Sequence, residues 1–376
     1  MKPIPVNIPL LSHREKELLN QCIETGWISS EGPFVKEFEE KFASYVDRKF
    51  GIACANGSGA LDIAVAALKI KEGDEVIMPA FTIISPAFSV IRAGAKPVLA
   101  DSDPVTWNLD VNQVESKITK KTKAIIAVHI YGLPVDMDPL LELCRKHNLF
   151  LIEDAAEMHG QTYKNKKCGS FGDISIFSFY PNKHITTGEG GMVVTDNEEL
   201  AQRSRKLRNL SFEPDKPRYV HYELGWNYRM TNMQAALGLA QLESIEKHII
   251  RKREIGKLYN SKLKNIHGIQ LPEEKTEYAE NIYWVYGIVL KKSLNKNAAQ
   301  VMKMLSEMKI GTRSFFYPMH LQPVFIKMDL FKNEKYPVAE NLAENGFYIP
   351  SGLGITNDEI KEVTAALTDI LSINTK

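Results

Sequence analysis

The segment Asp173-Ile-Ser-Ile-Phe-Ser-Phe-Tyr-Pro-Asn-Lys183-His-Ile-Thr-Thr-Gly-Glu-Gly-Gly191-Met-Val-Val-Thr195 carries the reading on which the fold turns. Its two ends are short apolar runs, and glycine and proline break the stretch between them, which predicts buried strands at Asp173–Phe177 and Met192–Thr195. Lys183 then sits in the glycine-rich crossing that joins them. A primary amine in a tight, partly desolvated crossing is a usable nucleophile, because burial disfavours the ammonium form. A lysine beside a glycine turn is ordinarily just solvated, so this reading needs a second feature to support it.

That feature lies upstream. The run Phe150-Leu-Ile152 reads as a strand and ends on Glu153-Asp154-Ala-Ala-Glu157. A carboxylate at a strand's C-terminal end and a lysine on a nearby crossing are the pair that pyridoxal phosphate chemistry needs: an amine for the imine and an acid for the pyridine nitrogen. Read alone, Asp154 could equally cap the next helix. Further out, Glu75–Met78, Pro97–Ala100 and Ala124–Val128 are apolar runs without polar alternation, separated by helical segments of which Pro139–Lys146 is the clearest. Strands of that kind are buried on both faces, so the pattern predicts a mostly parallel α/β sheet. Ligands collect beyond the C-terminal ends of such strands, where Ser58, Asp154 and Lys183 would all fall. Ser58 belongs to Asn56-Gly-Ser-Gly59, between a short strand, Phe50–Cys54, and a helix over 60–68. Free N–H groups at a helix start make a seat for a phosphate, although a plain strand-to-helix turn reads the same way.

The remainder of the chain sets limits. With 376 residues, 44% hydrophobic and 25% charged, it is long enough for two domains, and a net charge of +1 gives no electrostatic reason for a nucleic-acid or membrane partner. Prolines occupy the first ten residues where a signal peptide would be apolar, which makes cytoplasmic residence the expectation. Cys22, Cys54, Cys144 and Cys168 are scattered without metal-ligand spacing, so buried thiols and no metal site are expected. Ser12 is placed to cap a helix over 13–24, and a second helix begins after Pro33. The Gly-bounded turn between them, with Trp27 and two serines, reads equally as a loop that meets a ligand and as an ordinary turn with a buried Trp. Residues 207–226 read as a long irregular loop, functional or mobile. A helical stripe through Leu242, Ile245, Ile249, Leu258 and Leu263 then leads into a small α+β unit. That unit contains Tyr283–Leu290, a helix over 298–310, Arg313–Tyr317 and a closing helix over 358–371. The expected division is a large domain over 1–245 and a small one over 246–376.

Four motifs stand together in one order: Asn56–Gly59, Glu153–Glu157, Ser178–Lys183 with Thr187–Gly191, and Gly225-Trp-Asn-Tyr-Arg-Met-Thr-Asn232. As a set they resemble the DegT/StrS family of sugar-nucleotide aminotransferases over nearly the whole chain. Arg313-Ser-Phe-Phe-Tyr-Pro-Met-His320 is most similar to its perosamine-forming branch. The resemblance implies a fold-type-I, aspartate-aminotransferase-like pyridoxal 5'-phosphate enzyme: a mostly parallel seven-stranded sheet plus a small C-terminal domain, working as a homodimer with shared active sites. It implies that Lys183 is the Schiff-base lysine, Asp154 the acid at the ring nitrogen and Glu157 a neighbour of the ring hydroxyl. Ser58, the Gly59 backbone and Ser178 match phosphate-binding positions, and Asn227 one that reaches the partner subunit's phosphate. Tyr317 and His320 match the loop lining the sugar site. The implied reaction moves the amino group of L-glutamate to C4 of a nucleotide-linked 4-keto-6-deoxysugar. GDP-4-keto-6-deoxy-D-mannose is favoured, and TDP- or UDP-linked sugars are the alternative.

One position departs from the family, since Ile83 stands where many members place an aromatic ring over the cofactor. A related 3-dehydratase carries histidine in place of the Schiff-base lysine; here Lys183 holds that position and His184 comes one residue later. In an extended segment that neighbour points elsewhere. A non-catalytic regulator would not need lysine, acid and phosphate seat together. His129, Tyr131 and His159 read as structural residues near strand ends, and Arg229 is left without a role.

Overall fold

The computed structural model describes residues 2–213 and 215–372. Five strands come first: β1 (Phe50–Cys54), β2 (Glu75–Pro79), β3 (Lys96–Ala100), β4 (Thr122–Val128) and β5 (Phe150–Asp154). A two-rung hairpin, β6 (Thr162–Tyr163) with β7 (Lys166–Lys167), separates them from β8 (Ile174–Ser178) and β9 (Gly191–Thr195). The large sheet has seven strands in the order β1-β9-β8-β5-β4-β2-β3. Only β9 runs against the others. The cause is the crossing itself. Parallel neighbours need a helical crossover, and residues 179–190 contain no helix, so the chain can only turn back beside β8. Lys183 is thereby left at the C-terminal edge of β8, one strand from the end of β5 where Asp154 sits.

Alternation along each strand divides the interior into two layers. Ala124, Ile126 and Val128 of β4 join one core with Ile152, Ile176 and the helix Gly57–Ala67. Ile125 and Ala127 join the other with Leu151, Phe177 and the helix Pro33–Tyr45. Burial on both faces is why these strands read as unbroken apolar runs. At the amino end, Ser12 caps the helix His13–Thr25 in a capping box with Glu15. Trp27 is half-exposed, and all four cysteines are buried and free.

The small unit begins with the helix Ile245–Leu263, which is separated from Asn232–Glu243 only by Ser244. Its antiparallel sheet holds β10 (Ile269–Gln270), β11 (Tyr286–Leu290), β12 (Arg313–Ser314) and β13 (Gly346–Ile349), in the order β10-β11-β13-β12. Within the stretch Tyr283–Leu290 the strand begins only at Tyr286, and Tyr283 lies outside it at a left-handed φ of 50° that no strand accepts. The helix expected to run to Ile310 ends at Glu307, ahead of Lys309 at φ 61°. Of the expected loop at 207–226, the first two residues complete the helix Glu198–Arg208. The other described residues of the loop are largely irregular, and Tyr219, Tyr222 and Leu224 are exposed on its surface.

An amino-terminal strap closes onto this small unit. Ile4 donates to Lys309 O at 3.0 Å and accepts from Gly311 N at 2.8 Å, while Val6 O and Ile8 O accept from Ser351 N and Gly354 N, both at 3.2 Å. No helix among the described residues is long and apolar enough to cross a membrane.

Candidate active site

A cavity of about 330 Å³ opens at the C-terminal edge of the large sheet, lined by Val128, Asp154 and Ser178 from strand ends and by Lys183 from the crossing. Asp154 and Glu157 are both buried in it. Burial pushes the Asp154 carboxyl up to about 6, tempered by the N–H of Ala156, which it accepts at 3.1 Å, and by the charge of Lys183. The same cause pushes Glu157 up to about 8, against Lys183 and the Tyr131 N–H at 2.6 Å. Burial lowers the Lys183 ammonium, with Glu157 and Asp154 opposing it. Its Nζ lies 3.7 Å from the centre of the Trp284 ring, a side chain delivered by the small unit. Around neutral pH the site therefore holds one ionised acid, one protonated acid and an amine biased towards its nucleophilic form.

The phosphate end is built from the helix Gly57–Ala67. Asn56 caps it by accepting the Gly59 N–H at 2.8 Å, which leaves the N–H groups of Gly57 and Ser58 as free first-turn donors. Ser58 Oγ lies 2.8 Å from Ser85 Oγ, and Ser58, Ser85 and Ser178 line the cavity. Gly57 must be glycine because a Cβ there would lie 2.8 Å from Cβ of Ser178. Gly59 is outside the lining; its missing side chain makes room for the Tyr228 ring, which a Cβ would meet at 2.9 Å. Ile83 is half-exposed on the cavity wall.

Three expected positions are not brought to this cavity within one chain. Asn227 is exposed, with its Oδ1 accepting from Arg229 Nε at 3.0 Å. Tyr317 is exposed as well. His320 is buried elsewhere, its Nε2 2.9 Å from Glu340 and its ring 4.9 Å from that of Tyr336. Phe316 lines the cavity instead. Sequence reasoning missed Thr82, Ser85, Asn182, Trp284 and Tyr348 as lining residues. Only Asn182, next to Lys183, carried a signal in the chain; the others arrive from elements far apart in sequence.

A buried layer positions these groups. Tyr131 sits at φ 56° in a turn with Gly132 at φ 109°, which aims the Tyr131 N–H at Glu157. Next to Asp154, Glu153 lies on the opposite face of β5. Burial would push its carboxyl up, but His129 Nε2 at 3.1 Å, the N–H groups of Gly169, Phe171 and Gly172, and Ser175 Oγ at 3.1 Å outweigh this and hold it near 2. His129 Nδ1 accepts the Val135 N–H at 3.0 Å, so its Nε2 must donate to Glu153. Folding also brings Cys168 beside this pair, with ligand atoms of the three within 4.8 Å of one another. The Glu153 oxygens are already taken up by five donors, which makes this a hydrogen-bond hub. His184 turns away from the cavity, its Nδ1 3.2 Å from His159 O. Lys252, fully buried, donates to Trp284 O at 2.9 Å and Ser351 O at 2.6 Å, fixing the backbone behind the Trp284 ring.

These residues fit pyridoxal phosphate. The cavity offers an amine, a carboxylate, a helix start with three hydroxyls, and two buried polar atoms, Thr82 Oγ1 and Asn182 Oδ1, that have no partner among the described residues. A profile of the DegT/DnrJ/EryC1/StrS aminotransferase family matches residues 9–368. The chain belongs to that family. It is 43% identical over 368 residues to GDP-perosamine synthase of Caulobacter vibrioides, covering 98% of each chain. It is 41% identical over 372 residues to GDP-perosamine synthase of Escherichia coli O157:H7, covering 99% of this chain and 100% of the other. The aminotransferase TlmJ from Streptoalloteichus hindustanus superimposes with a TM-score of 0.92 at 26% identity, over 99% and 100% of the two chains. This DegT-family member is a fold-type-I, pyridoxal phosphate-dependent aminotransferase.

Proposed function

We propose that the enzyme moves the amino group of L-glutamate to C4 of GDP-4-keto-6-deoxy-D-mannose, forming GDP-perosamine for surface polysaccharide such as O-antigen. We propose further that it acts as a cytoplasmic homodimer with shared active sites, divided into domains at 1–245 and 246–376. The observation that carries the substrate assignment is end-to-end similarity to two GDP-perosamine synthases in a chain that keeps lysine at position 183.

In this reading, pyridoxal phosphate supplies an electron sink for the charge left when a carbon–hydrogen bond breaks. Asp154, ionised above about 6, would hold the proton on the ring nitrogen. Glu157, protonated below about 8, uses one oxygen to accept the Tyr131 N–H and has its hydroxyl free to donate to the ring's oxygen substituent. The N–H groups of Gly57 and Ser58, with the hydroxyls of Ser58, Ser85 and Ser178, would hold the phosphate, and Gly59 supports them through its packing and cap. Asn227 is assigned to the partner subunit's phosphate, and Tyr317 and His320 to the sugar-binding loop, which His320 anchors through Glu340. Lys183 Nζ takes the proton from the substrate carbon and returns it at the second position; burial keeps this amine competent as a base. A lysine that carries protons both ways favours transamination over dehydration.

The test is a panel of GDP-, TDP- and UDP-4-keto-6-deoxysugars, each with glutamate, scored by 2-oxoglutarate release and product mass. Turnover of the GDP-sugar to the 4-amino product is expected. Turnover of TDP- or UDP-sugars with none of the GDP-sugar removes the perosamine assignment, and ammonia release with loss of the C3 hydroxyl overturns the reaction type.

A further inference from the structure

Trp284 belongs to the small unit, yet its side chain stands over the amine of the Lys183 crossing, and it is fixed there at three points. Its backbone nitrogen lies against the turn at Gly132, where a Cβ would sit 2.7 Å from it. Its carbonyl oxygen accepts from the buried Lys252 Nζ at 2.9 Å. Its indole Nε1 donates at 3.0 Å to Asn182 O, the carbonyl directly before Lys183. The side chain is buried, with its ring 5.9 Å from that of Tyr131. A second cavity of about 340 Å³, lined in part by Val6, Asn7 and Arg313, adjoins the first, and Trp284 lines both.

The crossing is held as firmly. Asn7 Nδ2 donates to Pro181 O at 3.2 Å, and the Lys183 N–H donates to Tyr180 O at 2.9 Å. With Asn182 O taken by Trp284, the carbonyls of three successive residues before Lys183 are all engaged, and the side-chain torsions decide where Nζ rests. Asp154 and Glu157 reach the amine by Coulomb attraction without a hydrogen bond. The directed contact that Nζ does make is with the Trp284 ring, 3.7 Å from its centre. A π face attracts an ammonium more than a neutral amine, because a cation feels the ring's quadrupole. An alkyl side chain in the same place would exclude water and offer the cation nothing.

We propose that Trp284 is a positioning residue for proton transfer: its ring seats the Lys183 amine whenever that amine is not bonded to carbon, and it steadies the ammonium formed when Nζ takes the substrate proton. In that step the carbon–hydrogen bond breaks, its electron pair passes to the cofactor, and the proton stays on Nζ until it is delivered to the second carbon. The proposal rests on the aminotransferase reading of the cavity and adds a residue of the small unit to the work of Lys183.

Two measurements test it. In the cofactor-free protein, tryptophan emission is compared between wild type and Lys183→Met, and again with both chains carrying Trp284→Phe. Ammonium groups in contact with an indole quench its emission, so Lys183→Met should brighten the wild type and leave the Trp284→Phe background unchanged. In the holoenzyme, loss of the cofactor's visible band is timed on mixing with glutamate or with glutamate deuterated at Cα. Trp284→Leu should slow that loss about three- to thirtyfold, with a deuterium isotope effect at least as large as in wild type, and Trp284→Phe should recover most of the rate. An equal emission change in both backgrounds, or none in either, would overturn the proposal. So would a Trp284→Leu rate within about twofold of wild type, a smaller isotope effect, or a Trp284→Phe rate as low as that of Trp284→Leu, which would assign the effect to the Nε1 bond. Circular dichroism checks the fold of Trp284→Leu, and the emission comparison decides without that variant. Failure of glutamate to bleach the wild-type band would instead strike at the aminotransferase reading, on which the emission comparison does not depend.

Discussion

Replacing Glu157 by Gln probes the electrostatic cost of burying this carboxyl in the cavity. In the cofactor-free enzyme Glu157 is buried and its carboxyl is pushed from 4.5 up to about 8 by that burial. The folded protein then binds a proton that the unfolded chain has already released, so wild-type stability is full below pH 4.5 and is lost as pH rises through about 8. Glutamine has the same shape, accepts the Tyr131 N–H through its carbonyl oxygen and never ionises, so this pH dependence disappears in the variant. Linkage between the two pKa values makes the stability gap between Glu157→Gln and wild type about 3 kcal/mol wider at pH 9 than at pH 6, in favour of the variant. Urea unfolding of both cofactor-free proteins at the two pH values, at one protein concentration, measures that double difference and cancels the titrating groups outside the Glu157, Asp154 and Lys183 cluster. A gap that stays constant with pH within about 0.5 kcal/mol would refute the argument that Glu157 is held protonated near neutrality. It would also remove Glu157 as a donor to the cofactor.

Lys183→Ala should lose the visible band of bound cofactor and at least about 10³-fold in turnover; a variant that kept both would end the assignment of Lys183. Mixing Lys183→Ala with Asn227→Ala chains, each impaired alone, should restore activity through heterodimers with one intact site, and no recovery after verified subunit exchange counts against shared sites. Lys252→Met leaves the buried carbonyls of Trp284 and Ser351 without their donor and should cost about 1–3 kcal/mol, read from the urea midpoint. Burial pushes the Lys252 amine down to about 7, so the unfolded chain holds its proton to higher pH and wild-type stability rises from about pH 7 towards 10.5. The loss in Lys252→Met should therefore be larger at pH 9.5 than at pH 6.5, and an unchanged midpoint at both would show that the amine anchors nothing.

The strands of the large sheet were legible in the chain because each is buried on both faces. Ile125 and Ile126 point into different cores, yet both must be apolar. The Lys183 crossing was legible for a related reason, since a lysine between one proline and a run of glycines, flanked by two apolar runs, has no packing role to explain it. Asp154 could be read from its place at a strand end. Local rules of this kind reach a few residues in either direction, which also let them find Ser12 as a cap.

The roles of Gly57 and Gly59 needed tertiary contacts, because the two differ only in what a Cβ would strike: Ser178 in one case, the Tyr228 ring in the other. The same holds for Glu153 and Asp154. They are adjacent acids in sequence, and period-two alternation sends one to five donors on one face of β5 and the other to the cavity, setting one near 2 and the other near 6. Trp284, Tyr348 and Arg313 reach the site from the small unit, while Asn7 reaches it from the other end of the chain. The sequence by itself determined which residues could do the chemistry, since strand burial and turn composition are short-range properties. Which of them meet, and at what protonation, was decided only when distant segments closed around one desolvated cavity, because desolvation and Coulomb terms depend on every neighbour in space and on none in sequence.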